Sequence, residues 1–225
     1  MHVSRTLVPL AGTAVLLGAL ALAGCGGGGA GDSSPGPGPG LPTAKATAGQ
    51  VAHGRALFTT MGCADCHSQG VNDPASPTWM AGYVTGGHNG VFQIGPFLVH
   101  AANLTPDAVT GLGGATDRQV FNALSWGLAP ETPEAVITSN VPGQGNFPAQ
   151  PHYLAPPMPW PSIRHLSDDD RWSLVAYIKH GVKAVTNAVP ANDGPPDFWA
   201  GSYTAAKVGP YPLPPYPTAA EQFTP

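Results

Sequence analysis

The sequence predicts an all-α domain of three main helices joined by long loops around a bound group. Three segments open with helix N-terminal signals and then carry apolar residues at helical spacing. The stretches between them, Ser68 to Ala115 and Ala129 to Leu166, read as irregular. Loops of that length are poor economy in a domain that must bury its own core. They make sense if a large apolar cofactor supplies part of the interior.

The first helix begins at Thr47-Ala48-Gly49-Gln50, a capping box. Gly54, Leu57, Phe58 and Met61 follow at i, i+3, i+4 and i+7, and Gly62 stops the helix directly before Cys63. The second begins at Thr116-Asp117-Arg118-Gln119, with Val120, Phe121, Leu124 and Leu128 as its apolar stripe. The third begins at Ser167, and the carboxylates of Asp168, Asp169 and Asp170 suit the positive end of a helix dipole. Leu174, Tyr177, Ile178 and Gly181 form its inward face. Gly54 and Gly181 allow two helices to approach closely where they cross.

Residues 1–24 read as an export signal: Arg5 gives a positive start, an apolar run spans Leu7 to Ala23, and small residues lead to Cys25. Leu22-Ala23-Gly24-Cys25 resembles a bacterial lipoprotein box, which implies lipid on Cys25 and a membrane-surface anchor. Residues 25–46 are mostly Gly, Pro, Ser and Ala, the composition of a flexible tether. Residues 47–184 hold the helices, and 185–225 form a tail rich in proline and aromatic residues. Gly26 after the lipid cysteine leans the expected location, periplasm or cell surface, towards the outer membrane. The formal charge of −4, with only 10% charged residues, lacks the basic footprint of a nucleic-acid binder.

The chemistry centres on Cys63-Ala64-Asp65-Cys66-His67. Two thiols three positions apart can each add to one haem vinyl group, and the adjacent imidazole reaches the iron from the same side. A redox dithiol belongs after a strand in a βαβ setting, and a structural zinc needs a second ligand pair. Neither pattern is present here. A Cys63–Cys66 disulfide is the remaining competitor. With lipid on Cys25 and one covalent haem c on the other two cysteines, no thiol is left over.

The sixth iron ligand must come from elsewhere. Met158 lies in Pro156-Pro157-Met158-Pro159-Trp160, a stiff loop shortly before the third helix. Met61 is too close to Cys63 to cross to the far face. Met80 is the fallback, and a bis-histidine site would draw on His152 or His165. With both axial positions filled, the iron has no open site for substrate, which argues for a carrier over a catalyst. A labile or absent Met158 would instead suit a haem enzyme acting on a small molecule such as peroxide or a sulfur compound.

Residues from about Thr47 to Lys183 resemble a monohaem cytochrome c domain. Asn103-Leu104-Thr105-Pro106-Asp107, Thr110-Gly111-Leu112-Gly113, Pro156 to Trp160 and Leu166-Ser167-Asp168 are similar to segments of bacterial cytochrome c subunits of membrane-associated dehydrogenases. The resemblance implies one-electron transfer between redox protein partners and Met158 as axial ligand. It also implies a backbone carbonyl accepting from His67, for which Pro96 is the expected donor of the carbonyl. Two features depart from those subunits: one haem motif where they often carry several, and no Trp in Gly113-Gly114-Ala115-Thr116.

Overall fold

A computed structural model describes residues 46–132, 134–195 and 197–211. The leader with Cys25, the tether as far as Lys45, and residues 212–225 lie outside the described residues.

Helix α1 (Ala48–Thr60) carries the expected capping box. Thr47 Oγ1 accepts from the Gln50 amide at 3.2 Å, and Gln50 Oε1 accepts from the Thr47 amide at 3.0 Å. Met61 and Gly62, the latter left-handed at φ +70°, turn the chain straight into α2 (Cys63–His67). Helix α3 (Asp117–Trp126) has the second capping box and ends on Gly127 at φ +67°. A short α4 (Trp160–Ile163) follows the Met158 loop, and α5 (Asp168–Ala176) is capped by the Ser167 hydroxyl. The third helix does not stay α-helical to its end: Tyr177–Gly181 is a π-helical turn.

One stretch expected to be irregular contains a β-hairpin. Strands β1 (Val91–Ile94) and β2 (Phe97–His100) pair antiparallel, with Val91 opposite His100 and Ile94 opposite Phe97. Gly95 and Pro96 form its two-residue turn, Gly95 at φ +57°. A first turn residue with positive φ matches the twist of the flanking strands. Runs of aromatic and β-branched residues on either side of Gly-Pro are the sequence signal for it.

α1 crosses α5 at the glycines. A Cβ on Gly54 would lie 1.8 Å from the Ser173 carbonyl oxygen, and one on Gly181 would lie 2.6 Å from Val51 Cγ1. Behind the crossing, Phe58 meets Trp79 and Tyr177 edge-on at 5.5 and 5.7 Å, and Trp79 Nε1 donates to Tyr177 Oη at 2.7 Å. α3 packs beside α5, where Phe121 stacks on Trp172 at 4.3 Å and the Arg118 guanidinium lies over both rings. Buried Val120, Leu124, Ile163, Leu174 and Ile178 complete one core.

Residues 185–193 lie along this core as a strap. The Val185 carbonyl accepts from Asn103 Nδ2 at 2.8 Å and from Thr105 Oγ1 at 3.2 Å. Asn187 Nδ2 donates to the carbonyls of Ala81 and Tyr83, and Asn192 Oδ1 accepts from the His100 amide.

Candidate haem site

α2 places the central motif. Because α1 stops at Gly62 and the chain re-enters a helix at once, Cys63 and Cys66 fall one turn apart, half-buried, with free thiols. Burial pushes the Cys63 thiol up to about 11, and it raises that of Cys66 as well, with Asp65 adding to both. A redox-active dithiol needs a depressed thiol pKa. These thiols have the opposite character.

His67 closes the motif. Its Nδ1 is 2.8 Å from the Ala102 carbonyl oxygen. A donor there fixes the tautomer with Nδ1 protonated and leaves Nε2 with its lone pair. Among the described residues Nε2 has no hydrogen-bond partner. Desolvation lowers the imidazole pKa against the opposing pull of the Ala102 bond. The accepting carbonyl is therefore not that of Pro96, which sits in the hairpin turn. The hairpin carries the chain away from His67 and returns it as Ala101 and Ala102. The Ala101 amide donates to Gly90, the Tyr83 amide donates to Ala101, and the Gly82 amide donates to the His67 carbonyl. This mesh holds the Ala102 carbonyl in place, and it involves no side chain that sequence reasoning could single out.

Met158 is half-buried and packs against the core from the loop before α4. Its amide donates to the Ala155 carbonyl at 3.2 Å. Met80 is fully buried at φ +60° and tied to the chain around His67: its amide donates to Ser68 Oγ, and its carbonyl accepts from the Leu104 amide. Of the other histidines, His165 is half-buried with its Nδ1 unpartnered among the described residues, and His88 is exposed. His53 and His180 meet Asp170 and Asp117 at 2.7 and 2.8 Å, and exposed His152 lies 2.9 Å from Glu131. The His100 ring lies 4.8 Å from that of Tyr83, tilted by 42°. Among the described residues no group of three His, Cys, Asp or Glu side chains is placed to hold a metal ion.

The donor set fits a haem. It offers two free thiols one helical turn apart, an imidazole oriented through its other nitrogen, and a half-buried thioether. Met61, Leu104, Leu112 and Leu166 adjoin the core but are only partly covered, as a flat apolar group would require. Lys179 fixes one part of this surround, its ammonium donating to the carbonyls of Leu112 and Ala115.

Comparison with known proteins agrees with this chemistry. The family model for cytochrome c matches residues 51–181, more than half of the chain. The cytochrome c subunit of gluconate 2-dehydrogenase from Pantoea cypripedii is 28% identical over 151 residues, covering 67% of this chain and 27% of that protein. The fructose dehydrogenase cytochrome subunit from Gluconobacter japonicus is 27% identical, covering 69% and 26%. A diheme cytochrome c-type protein from Cereibacter sphaeroides is 27% identical, covering 58% and 36%. The chain thus spans between about a quarter and a third of the length of these relatives. The family span contains both motif cysteines, His67 and Met158, so fold, site chemistry and comparison agree: the chain belongs to the cytochrome c family, whose domains carry covalently bound haem c and serve as electron carriers.

Proposed function

We propose that this protein is a monohaem c-type cytochrome that transfers single electrons at the outer face of a bacterial membrane. Cys63 and Cys66 form the thioether links, and His67 Nε2 and Met158 Sδ are the axial ligands. Bound haem supplies the one-electron chemistry. The chain attaches it, orients its proximal ligand through Ala102 and screens it with apolar side chains. The observation that carries this reading is the 2.8 Å contact between His67 Nδ1 and the Ala102 carbonyl. It leaves Nε2 as the ring's free lone pair.

Export and a lipid anchor on Cys25 complete the proposal and rest on the leader sequence. As two of the similar proteins are named as cytochrome subunits of sugar-acid or sugar dehydrogenases, we assign the electron donor to a dehydrogenase catalytic subunit and the acceptor to a further redox protein. The relative from Cereibacter sphaeroides is named as diheme. This chain has a single Cys-x-x-Cys-His, and haem quantitation per polypeptide should return one.

The test is the visible spectrum of the oxidised protein. The sulfur-to-iron charge-transfer band is expected in the wild type and in Met80→Leu, and it should vanish in Met158→Ala. An unchanged spectrum in Met158→Ala would overturn the assignment of the distal ligand.

A further inference from the structure

The bond that orients His67 closes a ring of hydrogen bonds. His67 Nδ1 is 2.8 Å from the Ala102 carbonyl oxygen. Two residues on, the Leu104 amide donates to the Met80 carbonyl at 2.8 Å. The Met80 amide donates to Ser68 Oγ at 2.8 Å, and Ser68 is joined to His67 by the chain itself. Besides the imidazole, the Ser68 hydroxyl is the one side-chain group in this ring. Every other link is backbone, which changing a side chain does not delete.

Two further observations bear on the link between Ser68 and Met80. The first is that Met80 has φ +60°, a left-handed backbone that residues other than glycine rarely adopt. Such a conformation persists only where its surroundings over-determine it. Here the Met80 amide and carbonyl are both bonded, and the side chain is fully buried in the core. The second is that Ser68 is fully buried too, with both its backbone groups engaged. Its amide donates to the Ala64 carbonyl and its carbonyl accepts from the Val71 amide, so the hydroxyl stands on the frame of the Cys-x-x-Cys-His motif. Without that hydroxyl, the Met80 amide is a buried donor with no acceptor, which is strongly unfavourable. Met80 then relaxes, its carbonyl moves, and Leu104 and Ala102 move with it.

We infer that Ser68 is a positioning residue for the haem ligand His67. Its hydroxyl holds Met80 left-handed, and through Leu104 this fixes the Ala102 carbonyl against Nδ1. The inference rests on His67 as the proximal ligand and is independent of Met158. A firm bond from Nδ1–H raises the basicity of the imidazole. A more basic ligand favours the oxidised iron, so the Ser68 link lowers the reduction potential.

The experiment uses the haem-loaded full-length protein and follows solvent exchange of the hyperfine-shifted His67 Nδ1–H proton together with the midpoint potential. In Ser68→Ala the proton should exchange about tenfold faster, and the potential should rise. Ser68→Thr, which keeps the acceptor, should bring both back towards the wild type. Gly54→Ala is the control for destabilisation alone: it disturbs the α1–α5 crossing and not the ring, so both readouts should hold. If Ser68→Ala does not fold, amide exchange in the wild type decides. Opening at Met80 must release Nδ1–H, so the Met80 amide should be at least as protected as that proton. A Met80 amide that opens more often shows the two to be independent and overturns the proposal. It is overturned equally if Ser68→Ala leaves both readouts unchanged, if Gly54→Ala moves them as far, or if Ser68→Thr behaves as alanine does. A wild type without a hyperfine-shifted His67 ring would refute the ligand assignment itself, and this inference with it.

Discussion

At the scale of single residues, the most consequential contact is a hydrogen bond to a backbone carbonyl, the one from His67 to Ala102. The motif residues are legible in sequence because their spacing is their chemistry. The carbonyl is not, because every residue carries one and only the path of the chain selects Ala102 over Pro96. Asp107 shows how the neighbouring loop is held. Its carboxylate accepts from the Thr110 amide and hydroxyl at 2.7 and 2.8 Å and from the Thr186 hydroxyl at 2.9 Å. These bonds, those from Thr110 foremost, hold its pKa at about 2. With the folded-state pKa depressed, the stabilisation is complete above the ordinary carboxylate value of about 3.9 and is lost as pH falls through about 2. The melting temperature of Asp107→Asn should therefore lie below that of the wild type by a constant, small gap at neutral pH. That gap should close between those two values. A gap independent of pH would refute this account.

At the scale of elements, local signals are legible in the sequence and pairing signals are not. Both capping boxes are present because each is a hydrogen-bond exchange within four residues. The hairpin at Val91–His100 is harder to see, because a strand is stable only with its partner and its one local signal is the aromatic and β-branched residues on either side of Gly95-Pro96. The π-helical turn at Tyr177–Gly181 likewise follows an ordinary helical pattern in sequence. It lies where the last helix meets α1. The crossing glycines, by contrast, were legible, because a side chain on either would collide. Gly54→Ala puts a methyl group 1.8 Å from the Ser173 carbonyl oxygen, a clash that only separation of α1 from α5 relieves. Overpacking of this kind costs about 3 kcal/mol. Denaturant melts should show a midpoint loss of that size, with the haem spectrum retained in the folded fraction. A loss under about 1 kcal/mol would show that the helices are free to move apart.

At the scale of the whole molecule, the C-terminal segment completes the fold. Sequence composition sets residues 185–225 apart as an extended tail able to pack on the domain, and residues 185–193 satisfy the polar groups of Asn103, Thr105, Ala81 and Tyr83. Asn103 and Thr105 flank Leu104, immediately after Ala102, so the strap steadies the region that orients His67. Asn187→Ala leaves the Ala81 and Tyr83 carbonyls without their donor, and a buried acceptor so stranded costs about 1–3 kcal/mol. The expected outcome is destabilisation in that range with a broadened or shifted His67 ring signal in the paramagnetic NMR spectrum. An unperturbed ring would separate the strap from the haem site.

The same strap has a consequence in time. Asn103 waits for Val185, 82 residues further along the chain, and Asn187 reaches back 106 residues to Ala81. Closing loops of that size is entropically unfavourable until the far end exists. In a chain that emerges from its N-terminus, α1 and the two cysteines are made early, while Val185 and Asn187, the lock on the loop beside His67, are made only after α3, α4 and α5. On the proposed function, the interval between the two is the period in which Cys63 and Cys66 would receive the haem.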